Sequence, residues 1–149
     1  MMLIAYQDIK DREVYAFIFP VLAIGLGMLH YFNVYPIQFF MAIGINLIVV
    51  LMVLGILYVY TSLRIKKPFF KEVFGLGDAL FFIALALGFP TVTFVIILVF
   101  SLLFSLLTWI VFKRSVVHST IPLAGYMSIF LGVLFFMNYT VTSLKLYVI

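Results

Sequence analysis

The sequence predicts an all-α membrane protein, a polytopic helical bundle of about five transmembrane helices with a short apolar segment at its N-terminus. Composition, scarcity of charge and one pattern lead there. Apolar residues make up 67% of the chain and aromatic residues 19%, with a mean hydropathy of +1.34, outside the range of soluble domains. Nine Lys or Arg and five Asp or Glu carry all the formal charge among 149 residues. The apolar residues fall into five runs near the length of roughly 20 that crosses a bilayer, separated by short loops.

Taken in order, Met1–Gln7 is apolar, but as a helix it reaches only about 10 Å and cannot span. A charged cluster, Asp8-Ile9-Lys10-Asp11-Arg12-Glu13, follows it. The first run covers 14–32, with Pro20 marking a kink. A turn at Asn33–Pro36 leads to the second run, 37–62, and the polar stretch RIKKPFFKEV occupies 64–73. The third run, 73–89, carries Gly-Leu-Gly-Asp near its start and ends at the turn signal Gly88-Phe89-Pro90. The fourth covers 92–112, KRSVVHS forms a loop, and the fifth covers 121–143. These runs fill residues 1–149 as one integral membrane domain, with no room for a soluble module. The start lacks the basic region and cleavage site of a removable signal peptide.

Basic residues orient the bundle. With the N-terminal cluster inside, Lys10, Arg12, Arg64, Lys66, Lys67, Lys71, Lys113 and Arg114 are cytoplasmic and only Lys145 is outside. The net charge of +4 is therefore a topology signal rather than a nucleic-acid footprint. Positive-inside topology also accounts for Lys66, Lys67 and Lys71, which have a weaker reading as contacts for lipid or substrate. The chain has no cysteine, which removes disulfides, zinc knuckles and thiol nucleophiles.

Charge is so scarce here that each carboxylate near the membrane calls for an account. Two of them, Asp8 and Asp78, fall at the cytoplasmic mouths of apolar segments. Singly, Asp78 reads equally well as a helix N-cap after a glycine loop, and Asp8 as part of a solvated cluster in which Asp11 and Glu13 compete with it. Gly75 and Gly77 let backbone approach closely or adopt positive φ. Jointly, two acids can divide the work of peptide hydrolysis. One ionised group activates water and one protonated group polarises the carbonyl, because close like charges do not both ionise. No other constellation offers comparable chemistry. His30 and His118 are assigned to opposite faces, so no metal site is predicted, and no cofactor is implied. Ser115, Ser119 and Thr120 near His118 are ordinary loop composition.

The pattern Asp-x-x-x-Arg-x-Val at 8–14, then Gly-x-Gly-Asp at 75–78, resembles the type IV prepilin peptidases and preflagellin peptidases. These are polytopic aspartyl proteases of the Gly-x-Gly-Asp class. The basic loop between the motifs and Ile-Pro-Leu-Ala-Gly at 121–125 resemble the family as well, and the likeness runs through almost the whole chain. It implies that Asp8 and Asp78 are the catalytic pair, with Arg12, Gly75 and Gly77 as motif support. The implied substrate is a pilin-like precursor whose leader is cleaved at the cytoplasmic face of a bacterial or archaeal membrane. It further implies no N-methyltransferase activity, since the added cytoplasmic domain of the long members is missing. The chain has Val14-Tyr15 where many members have Ile-Pro, and Leu80 where many have Lys. Two alternatives stay open: an inactive homologue acting as a membrane scaffold, and a presenilin-like protease, whose motifs Tyr6-Gln7-Asp8 and Pro122-Leu123-Ala124 faintly echo.

The remaining features read as membrane physics. Asn46 supplies an interhelical hydrogen bond, and Ala23 and Gly27 form a small pair suited to close helix packing. Tyr126, Trp109 and the Phe-rich edges read as interfacial anchors and lipid-facing surface.

Overall fold

The computed structural model describes residues 1–10, 14–65, 75–112, 122–140 and 146–147. Among them the chain is all-helical: α1 (Met2–Lys10), α2 (Ile18–Asn33), α3 (Pro36–Tyr60), α4 (Leu76–Gly88), α5 (Thr91–Phe112) and α6 (Leu123–Thr140). A wider π-helical turn, Thr61–Ile65, extends α3. Three helices are long and apolar enough to cross a membrane: Pro36–Leu63, Thr91–Val111 and Leu123–Thr140. Ile18–Asn33 and Leu76–Gly88 are apolar but shorter.

Proline sets the starts. Pro36 occupies the first turn of α3, where its missing N–H costs nothing. Pro90 and Pro122 precede α5 and α6, and their carbonyls accept the first helical bonds, from Phe94 and Tyr126. Pro20 departs from expectation. Because α2 begins only at Ile18, Pro20 falls in the first turn, whose N–H groups have no helical acceptor, and it has no bond to break there. It helps start the helix rather than kink it.

Helix α4 is the inner element. Eight of its thirteen residues are buried, and it packs against α2, α3, α5 and α6. The core gathers around it: Phe81, Phe82 and Leu85 with Phe19, Phe94 and Met127, all at most 2% exposed. The expected interfacial, lipid-facing role of Tyr126 is corrected here, since it too is buried. A helix that is apolar all round gives no sequence signal for its inner face.

Two close approaches fix the packing. Phe19 lies on Gly77 and Leu26 on Gly88, where an added Cβ would sit 2.8 Å from Leu26 Cβ; α2 and α4 therefore run parallel. Met1 lies beside Gly132 and Asp8 beside Gly125, so α1 runs antiparallel along α6. The expected Ala23/Gly27 seam is not used, since a Cβ added at Gly27 would meet nothing within 4 Å.

Candidate active site

Asp8 stands in α1 one turn after buried Ile4, on the face turned to α6. Residues four apart share a helix face, so the apolar anchor at Ile4 also aims the carboxylate. Asp78 is the third residue of α4. Two elements far apart in sequence thereby deliver one carboxylate each to the start of α6.

There the two acids meet neighbouring donors. The Ala124 N–H donates to Asp78 Oδ1 at 2.7 Å, and the Gly125 N–H donates to Asp8 Oδ2 at 2.5 Å. Both amides belong to the first turn of α6, whose N–H groups have no acceptor within the helix. They carry the positive end of its dipole. Adjacent residues are separated by about 3.8 Å along the chain, so the two accepting oxygens lie no more than about 9 Å apart. Asp78 is 9% exposed, whereas Asp8 is only half-buried, so Asp8 is the more open of the two to solvent.

Glycine makes room for each carboxylate. A Cβ at Gly75 would stand 3.0 Å from Asp78 Oδ2. One at Gly125 would stand 3.0 Å from Asp8 Oδ2 and 3.1 Å from Asp8 Cβ. The reason for glycine at Gly75 is space rather than torsion, because its φ of −68° and ψ of 137° are open to any residue. Gly77 receives the Phe19 ring instead, with its would-be Cβ 3.2 Å away.

Three sequence expectations change here. Asp78 does not cap its own helix: Gly75 is the N-cap, with no side-chain bond, and Asp78 reaches across to α6. Its helix starts at Leu76, later than the apolar run that begins at 73, so Asp78 lies about 3 Å into α4. The role of 124–125 was also missed, although the run Ile-Pro-Leu-Ala-Gly had been singled out, because backbone donors leave no mark of their own on a sequence. Arg12, Lys66, Lys67 and Lys71 lie outside the described residues, as do Asp11, Glu13 and His118.

The far end of α4 is a second polar locus. His30 is fully buried, and its Nδ1–H donates to the Leu87 carbonyl at 3.0 Å. Asn46 Nδ2 donates to the carbonyls of Ala86 and Phe89, both at 2.9 Å. These bonds satisfy carbonyls that a helix end leaves without partners, and they fix α2 and α3 to α4. Among the described residues, no three His, Cys, Asp or Glu come together as a metal-binding group.

Comparison with models of known families, with curated proteins and with solved structures finds no match.

Proposed function

We propose that this chain is a membrane aspartyl endopeptidase that removes the leader of type IV pilin-like precursors at the cytoplasmic membrane face, without N-methylating the product. The observation that carries the reading is the meeting of Asp8 and Asp78 on consecutive amides of α6. Two carboxylates drawn from separate helices to one point are costly to assemble near a membrane and match a two-acid hydrolase.

In this reaction one ionised carboxylate takes a proton from water as the water oxygen attacks the scissile carbonyl carbon. The other, protonated, gives its proton to the carbonyl oxygen. The tetrahedral intermediate then collapses: the C–N bond breaks as the first acid passes its proton to the amine nitrogen, and the second carboxylate takes a proton back from a hydroxyl of the intermediate. The amides of Ala124 and Gly125 hold the acids in place, and Gly75 and Gly125 keep the space they occupy.

The test is co-expression with pilin-like precursors from the same genome. Asp8→Asn and Asp78→Asn are each expected to abolish leader removal while the protein still accumulates in the membrane. Leader removal that survives both substitutions overturns the reading.

A further inference from the structure

Helices α1 and α6 enclose a groove of about 850 Å³ on the side of α1 next to Asp8. Its walls include Tyr6, Ile9 and Lys10 from α1 and Ser128, Gly132 and Phe136 from α6. Tyr6 and Phe136 are more than half exposed, so the groove opens sideways from the bundle. Among the described residues, Lys10 is the one charged side chain in its lining. The ammonium folds back along α1, donating to the Tyr6 hydroxyl at 3.0 Å and lying 5.2 Å from the Tyr6 ring centroid. Cation and hydroxyl therefore share one end of a channel whose other lining side chains, Ser128 apart, are apolar.

Dimensions and charge together select the occupant. From Ser128 to Phe136 the α6 wall rises about 12 Å, close to one leaflet of a hydrocarbon core about 30 Å thick. A spanning helix would need a seat twice that length; an acyl chain of one leaflet fits it. The lysine end lies on the side that positive-inside counting makes cytoplasmic, where anionic lipid is concentrated.

We propose that this groove seats an anionic phospholipid, with one acyl chain between α1 and α6 and the phosphate on Lys10 Nζ and the Tyr6 hydroxyl. The lipid also acts on the candidate site. Ala5 and Ile9, both lining the groove, flank Asp8 along α1, and Ser128 follows Gly125 by one turn. A chain bridging the two helices holds α1, and Asp8 with it, against the Gly125 amide. This inference stands apart from the proposed chemistry, because lipid retention and helix protection are measurable whether or not the protein cleaves anything.

The test uses the full chain in nanodiscs of phosphatidylcholine alone or with phosphatidylglycerol. Native mass spectrometry reads the lipid retained, and hydrogen exchange reads the amides of residues 2–10. The expected result is preferential retention of phosphatidylglycerol, with slower exchange in α1 when it is present. Lys10→Gln lowers that preference about fivefold, the contribution of a single interfacial cation, and Lys10→Arg restores it. Gly132→Phe and Val133→Trp, which fill the groove from its floor and its rim, both remove the retained lipid, with circular dichroism checking that the helices persist. Equal retention of the two lipids, or a preference unmoved by Lys10→Gln, overturns the charged seat. Retention that survives both filling substitutions places the lipid elsewhere. Identical α1 exchange in the two membranes overturns the effect on Asp8. A peptide helix that cross-links to a single cysteine introduced at Val133 and expels the lipid identifies a different occupant.

Discussion

Gly125 and Gly75 are where a single methyl group bears directly on the two carboxylates. At Gly125 the new Cβ meets both the Oδ2 and the Cβ of Asp8, and the Cβ cannot withdraw without moving α1. Gly125→Ala is expected to reduce leader removal by less than the roughly hundredfold that misplacing a reacting group by about 1 Å costs, because the clash at 3.0–3.1 Å is relieved by a smaller shift. Overpacking should also cost about 1–3 kcal/mol of stability. Gly75→Ala acts in the same direction on Asp78. Gly55→Ala is the control. Nothing lies within 4 Å of its would-be Cβ, so the better helix former should leave leader removal intact and raise stability by about 0.5–1 kcal/mol. Thermal unfolding in detergent, beside a leader-removal assay, separates the three. An equal loss of activity in all of them would sink the claim that Gly125 and Gly75 are spacers for carboxylates. Much of this site could be read beforehand. Asp8 and Asp78 stand out because a charge beside an apolar run is expensive, and Gly75 because it shares a motif with Asp78. Gly125 could not be given its role in that way. Its N–H looks like every other, and the bond to Asp8 joins residues 117 apart.

At the scale of elements, α4 is held differently at its two ends: carboxylate to amide at the start, side-chain donors to carbonyls at the finish. Asn46→Ala removes both bonds from α3 to the Ala86 and Phe89 carbonyls. The expected loss is about 1 kcal/mol, typical of interhelical hydrogen bonds in membranes, read from the unfolding midpoint. Gly88→Leu is harsher, since its Cβ would start 2.8 Å from Leu26 Cβ. It should cost at least about 1–3 kcal/mol and loosen α2 from α4. Each of the five apolar runs read from the sequence matches one helix to within a few residues, with Pro36, Pro90 and Pro122 marking three of the starts. What the runs could not convey was which helix is inner. In an inward-and-outward apolar segment, Phe81 and an exposed residue such as Ile83 look alike, and so Tyr126 was assigned to the wrong side.

For the molecule as a whole, alkaline pH probes the end far from the aspartates. Tyr147 stacks between His30 and Phe89, with ring centroids 6.2 and 5.9 Å away. Burial pushes its hydroxyl up to about 12 from the usual 10.0. The folded protein then holds this proton more tightly than the unfolded chain. Its contribution to stability is complete below about pH 10 and is lost as pH rises towards about 12. Thermal midpoints in detergent should fall across that window, and Tyr147→Phe should fall less steeply. A wild-type midpoint that is flat from pH 10 to 12 would contradict the buried hydroxyl.

The start of α6 serves both acids, and this has a mechanical consequence. A ruler laid against one edge measures both marks from the same zero. When α6 shifts or tilts as a rigid rod, Ala124 and Gly125 travel together, and the gap between the carboxylates they hold is carried along unchanged. Only a movement of α1 or α4 relative to α6 alters that gap. Of the two, α4 is locked on four sides by its neighbours, while α1 packs mainly on α6 alone. Any opening of the pair is therefore a one-armed motion, with the nine-residue helix that carries Asp8 as the arm.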